Sequence, residues 1–176
     1  LDPMDVDETN FVATASTVMG EFQRMWVVPE IDAYRLSKLI TTAITKGTMV
    51  EYGYTPEKTT MLEKVKTGIS KIRDNGYNGD LVIHMTAAAK LQLELEMAGK
   101  LTSVTFSQGG IDTIVPAVDH VPIIETPQNR MYSSITIYDG KTTGQEQGGY
   151  VKGTKALEAN FIIVPRATPI AISKQD

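Results

Sequence analysis

Apolar residues recur at spacings of three and four along the first half of the chain, and in short runs bounded by glycine and proline along the second half. The first pattern is that of helices with one buried face, and the second that of strands. Phe11, Ala15, Val18, Phe22 and Met25 or Trp26 share one side of a 3.6-residue repeat, which predicts a helix over 10–26. Thr9 or Asn10 can cap it, with Asp7 and Glu8 at its favourable positive end. Gly20 in its middle costs about 1 kcal/mol relative to alanine, which packing of the apolar face must offset. Val27-Val28-Pro29 is expected to break this helix, Pro29 fitting the first turn of the next. There Leu36, Leu39, Ile40, Ala43 and Ile44 form the apolar stripe, with Arg35, Lys38 and Lys46 largely off it. Asp32 and Arg35 are spaced to pair, for about 0.2–0.5 kcal/mol, and Gly47 is placed to stop the helix.

Residues 48–55 read as loop or short strand. Thr55-Pro56-Glu57 supplies a cap, a first-turn proline and an early acid for a third helix, with Met61, Leu62, Val65, Ile69 and Ile72 on its buried side. Asp74-Asn75-Gly76 ends it, and the Asn78-Gly79 turn leads into a strand at 81–85. Thr86 caps a fourth helix over 87–97 that ends near Gly99. Further strands are expected at 103–106, 111–115, 121–125, 135–138, 161–164 and 170–172, and the polar, glycine-rich stretch 140–153 reads as an exposed loop. The order helix, strand, helix, followed by a β-rich half, is an α+β or α/β pattern, and α+β is the class expected.

Composition bounds this picture. The 176 residues suffice for one domain or two small intimate ones, with 41% apolar and 22% charged residues. A net charge of −4 argues against a dedicated, sequence-specific nucleic-acid binder and against a polybasic membrane-surface protein. There is no cysteine, so disulfides, thiolate metal sites and cysteine nucleophiles are excluded. No apolar run reaches the roughly 18–20 residues of a membrane helix. The chain starts at Leu1 and stops just after a strand-like run, which reads as a piece cut from a longer protein.

Candidate chemistry is thin. His84 and His120 are the only histidines, and too few further ligands accompany them for a zinc site. Asp119 beside His120 allows some pairing and leaves open a small hydrolase or ligand-binding domain. Ser107, His120 and Asp112 form a triad only on paper, without a nucleophile elbow. Gly109-Gly110 and the glycines from Gly144 to Gly149 match no phosphate-binding fingerprint. The Asp74 to Asp80 stretch is rich in oxygen ligands but has Gly76 where a calcium loop needs an acid or amide, and Met85 where it needs glutamate. Lys64, Lys66, Lys71 and Arg73 form a basic stripe that Glu57 and Glu63 dilute, as on a solvated helix face. No catalytic, cofactor or metal constellation emerges.

Met4-Asp5-Val6-Asp7-Glu8-Thr9-Asn10, then Val18-Met19-Gly20-Glu21-Phe22, then Val28-Pro29-Glu30-Ile31-Asp32-Ala33-Tyr34-Arg35 resemble the major capsid (coat) proteins of tailed bacteriophages and prophages of Gram-positive bacteria. The strand at 80–85 running into an alanine-rich helix, Pro122-Ile123-Ile124-Glu125-Thr126-Pro127, and the stretches 159–164 and 167–172 are similar to the same family. The resemblance implies the Hong Kong 97-type capsid fold, with a spine helix in a peripheral domain and a central sheet with flanking helices in an axial domain. Residues 1–47 would be peripheral part and junction, 48–140 axial, and 141–176 the return to the periphery. The family's N-terminal arm, most of its projecting hairpin (the E-loop) and its C-terminus would lie outside this chain. No residue here matches the lysine–asparagine cross-link of some relatives. The resemblance further implies a structural protein without cofactor, self-assembling as pentamers and hexamers into an icosahedral shell. Its other partners would be scaffold, protease or portal proteins, and its places the virion and, during assembly, the bacterial host cytoplasm. Phe22, Arg24, Glu30, Asp32, Tyr34 and Arg35 would lie at a subunit interface or the arm-to-body junction. This chain alone would be monomeric or weakly associated. A tail or adaptor component of a phage is an alternative with the same composition.

Overall fold

A computed structural model describes residues 14–47, 49–167 and 169. Phe11, the caps proposed at Thr9 or Asn10, and the strand at 170–172 lie outside the described residues. The first helix, α1 (Ala15–Phe22), is capped by Thr14, whose side chain accepts the amide of Thr17. It does not break at Val27-Val28-Pro29. A π-helical turn (Gln23–Val27) joins it directly to α2 (Val28–Lys46), and the amide of Val28 donates to the carbonyl of Gln23. In an uninterrupted α-helix the Pro29 ring would press on the carbonyl of Met25 and leave it without a donor. One extra residue in the turn just before the proline gives the ring room and lets the helix run on. The result is a rod on the order of 45–50 Å long at 1.5 Å per residue. Gly47 ends it at φ 69°.

The third helix, α3 (Met61–Asp74), begins later than Thr55-Pro56-Glu57 suggests. The carbonyl of Glu57 accepts from both Thr60 and Met61, closing a separate turn, and Glu96 from the next helix accepts the amide of Leu62 at 2.6 Å. A carboxylate supplied in tertiary contact therefore does the work expected of a local cap. After Asn75 and Gly76 (φ 91°) comes β1 (Leu81–Met85), then α4 (Ala87–Glu96), whose cap Thr86 accepts from the amide of Ala89.

The remaining strands are β2 (Thr102–Gln108), β3 (Ile111–Val118), β4 (Val121–Glu125), β5 (Ile135–Ile137), β6 (Tyr150–Lys152) and β7 (Phe161–Pro165). Five form a mixed sheet in the order β2-β3-β4-β1-β7, with β1 and β4 parallel and all other neighbours antiparallel. The fold is α+β, a mixed sheet with packed helices. β3 pairs with β4 only through Ala117 and Val118, so the β2–β3 hairpin runs on beyond the sheet. β6 lies within the stretch expected to be loop, where it pairs with β5. Three residues flanked by glycines are too short to show an alternation, so the partner strand defines β6. The rest of that loop is held by Asp139, which accepts the amides of Lys141 and Thr142 at 2.8 Å and the Thr142 hydroxyl; these donors bring its carboxyl down to about 2.

One face of the sheet carries the core. Leu81, Ile83 and Met85 of β1 and Val121 and Ile123 of β4 meet Met61, Val65 and Ile69 of α3 and Ala89 and Leu93 of α4. Gly68 lies so close to β7 that a Cβ there would sit 2.8 Å from Ile163 Cδ1. The rod packs elsewhere: Ala33, Leu36 and Ile40 of α2 are buried, and α2 lies against the 3-10 turn Gln128–Arg130 and β5.

Candidate functional site

The rod is tied to the body at one polar junction and is bare beyond it. Asp32 accepts from Arg130 at 3.1 Å, with both side chains partly buried. One and two turns later, the buried Ser37 hydroxyl donates to the carbonyl of Ser133 at 3.3 Å, and the Thr41 hydroxyl donates to the same oxygen. Ser133 is itself fixed by reciprocal bonds with Leu157: its hydroxyl accepts that residue's amide at 2.8 Å and its own amide donates to that residue's carbonyl at 2.9 Å. Tyr150 of β6 faces the junction, its hydroxyl pushed up by burial, with Arg130 opposing that shift. His84 of β1 lies near, its Nδ1 3.3 Å from the hydroxyl of Thr126; burial lowers its pKa, and the carboxylate of Asp32 opposes that shift.

Asp32 and Arg35 do not pair. Arg35 is exposed, and the arginine that answers Asp32 stands 98 positions along the chain. Of the other residues placed at this junction by sequence, Glu30 is half-buried, and Tyr34 is 47% exposed with the ammonium of Lys38 5.3 Å from its ring. Arg24 binds Glu21 at 2.6 Å on open surface, a bond that lowers the Glu21 carboxyl and raises the guanidinium. Phe22 is 53% exposed, and the structure brings it to neither Asp32 nor Arg130. Arg130 and Ser133 carry the junction, and nothing local in Gln128-Asn129-Arg130 marks them for it.

Among the described residues, nothing covers the apolar face expected to pack over α1. No residue of α1 or of the π-turn is buried, and Val18, Met19, Phe22, Met25 and Trp26 are each about half exposed (49–58%). A groove of about 410 Å³ continues this face between Met25, Trp26 and Pro29 of the rod and Tyr132, Tyr150 and Val151 of the body. The far end of the β2–β3 hairpin is also bare, with Ile111 and Ile114 at 71% and 76%.

The chemical candidates are held apart. Ser107 donates to Asp112 near the hairpin tip, while His120 follows the other end of the eight-residue β3, so the paper triad is not assembled. Asp119 and His120 form the tight β3–β4 turn at φ 50° and 66°, and Asp119 pairs with Lys66 at 3.1 Å. A shallow recess of about 280 Å³ beside them is lined also by Arg73, Thr105 and Arg166. The basic stripe is dispersed: Lys64 pairs with Glu51, and Arg73 donates to the carbonyls of Tyr77 and Gly79. Among the described residues no three acidic or histidine side chains are placed to hold a metal ion, and no helix is long and apolar enough to cross a membrane. No protein-family model, no curated protein and no solved structure matches the chain.

Proposed function

We propose that this chain is a shell-building subunit of the phage capsid class, part of a protein whose Hong Kong 97-type fold tiles with copies of itself around a genome. The observation that carries the reading is the rod: its second half is anchored to the body, and its first half presents a contiguous apolar stripe to solvent. Single exposed apolar residues are ordinary, but a run of two aromatics, two methionines and a valine on one helix is the surface of an interaction. A helix without packed neighbours is marginal in water, so an uncovered segment of this composition is matched to a covering partner. The rod corresponds to the family's spine helix, and the five-stranded sheet with α3 and α4 to its axial domain.

Magnitudes fit this role. Covering five half-exposed side chains contributes on the order of 4–7 kcal/mol by area. Association of two free copies costs about 4–15 kcal/mol in lost freedom and side-chain ordering. One such contact alone therefore gives weak association, and closed symmetry is what sums many of them into a stable container. This chain by itself is accordingly monomeric or weakly associated, with scaffold, protease or portal proteins as further partners in the virion and host cytoplasm.

Electron microscopy of the full-length product is the test. Closed shells of uniform diameter are the expected result, with light scattering showing this chain alone as monomer. Tubes would instead favour a tail or adaptor component. Soluble monomers throughout would overturn the shell reading and turn attention to the recess beside His120 and the Lys66-paired Asp119, which would then be tested for ligand binding.

A further inference from the structure

Two asparagines in this chain precede glycine, Asn75 and Asn78, and both lie in the loop between α3 and β1. Such a pair is the setting for intramolecular imide formation, because glycine offers its amide nitrogen without a side chain in the way. The structure treats the two pairs oppositely, although both asparagines are exposed. Asn75 Nδ2 donates to the carbonyl of Lys71 at 2.7 Å, and the amide of Gly76 donates to the carbonyl of Arg73 at 2.9 Å. Both the electrophilic side chain and the attacking nitrogen are thus engaged in ending the helix. Among the described residues neither the Asn78 side chain nor the amide of Gly79 has a hydrogen-bond partner. The loop around them is nevertheless held, since Arg73 donates to the carbonyls of Tyr77 and Gly79, and Tyr77 Oη donates to the carbonyl of Asp80. The Tyr77 ring also lies where a Cβ on residue 79 would be, its hydroxyl 2.5 Å from that position, so any larger residue there would displace the ring.

We infer that Asn78 is a site of spontaneous deamidation in the folded protein and that Asn75, three residues away, is protected. The amide nitrogen of Gly79 attacks Cγ of Asn78. The new nitrogen–carbon bond forms as the Cγ–Nδ2 bond breaks; the Gly79 amide proton passes to solvent, and the leaving nitrogen takes a proton and departs as ammonia. One water then opens the cyclic imide at either carbonyl, leaving aspartate or isoaspartate at position 78. No oxidant, metal or enzyme enters the balance.

The test is peptide mapping by mass spectrometry after the folded chain is held at mildly alkaline pH, with an isoaspartate-specific methyl-transfer assay alongside. Asn78 should convert to the acid, and Asn75 should lag by about tenfold or more, since two hydrogen bonds must open before it can react. In urea the two should react at comparable rates, which separates protection by the fold from the effect of neighbouring residues. Asn78→Gln should remove the isoaspartate signal from the peptide that carries position 78 in the folded chain, leaving the slower Asn75 signal. Equal rates at the two positions in the folded chain, or an Asn78 that stays amidated there while reacting in urea, would overturn the inference.

Discussion

Asp32 has one arginine within a helical turn and another brought to it by the fold, and it pairs with the distant one. The reason is entropy and setting. Arg35 is a long side chain in open solvent on the same helix, where pairing returns a few tenths of a kcal/mol, whereas Arg130 is already confined against α2 by the turn that carries it. A double-mutant cycle on thermal stability should find Asp32→Asn and Arg130→Met coupled by about 1 kcal/mol, and Asp32→Asn and Arg35→Met additive. His84 gives a second expectation at this scale. Burial holds its folded pKa below the ordinary value, so the unfolded chain binds the proton more readily. Its contribution to stability is complete above an ordinary histidine pKa of about 6.5 and declines as pH falls below it. Urea midpoints should drop between about pH 7 and about pH 5, and His84→Gln should flatten that drop, as should any change that lets water reach the ring.

Among the elements, spacing carried the helices well. The stripe of α2, the buried side of α3, the Thr86 cap and the stop at Gly47 all follow from local pattern. Local pattern misled at two boundaries. Pro29 is a breaker when read alone, yet a π-turn just before it absorbs the ring and the helix runs on. The Thr55-Pro56-Glu57 cap signal was valid chemistry at the wrong place, because Glu96 of another helix reaches the true start. The rod also divides into halves with different energetics. Leu36→Ala should lose about 2–5 kcal/mol of folding stability, while Phe22→Ser should leave melting of the isolated chain within about 0.5 kcal/mol of its starting value. Urea denaturation of the two variants checks both, and a large loss at Phe22 would mean that the chain covers this face itself.

For the whole molecule, the proposed role makes the bare half of the rod matter only in assembly. In the full-length protein Phe22→Asp should abolish or deform shells while the subunit still folds, which electron microscopy and circular dichroism read separately. Arg35→Ala, which removes a charge beside the junction without touching the Asp32–Arg130 pair, should impair assembly or lower the melting temperature of the full-length protein; normal shells with unchanged melting would remove Arg35 from the interface. The topology itself was only partly legible. Strand positions could be read from β-branched runs between glycines, but the order β2-β3-β4-β1-β7 could not, since short apolar strands carry no label for their neighbours. The return of β7 to the edge beside β1 brings together residues about 80 positions apart, such as Val82 and Val164, and depends on the α3 face that both strands help to bury.

The order of the helices and of every strand but β6, the caps and stops at Thr86, Asn75 and Gly47, and the apolar character of the face from Val18 to Trp26 were determined by residues within a few positions of one another, through backbone preference and periodicity. Tertiary structure alone decided that this face stays open among the described residues, that Asp32 answers to Arg130, and that β6 is a strand. Each of those outcomes depends on a partner far along the chain or on the absence of cover from it. Short-range pattern sets what a segment prefers, and only the folded arrangement sets what it meets.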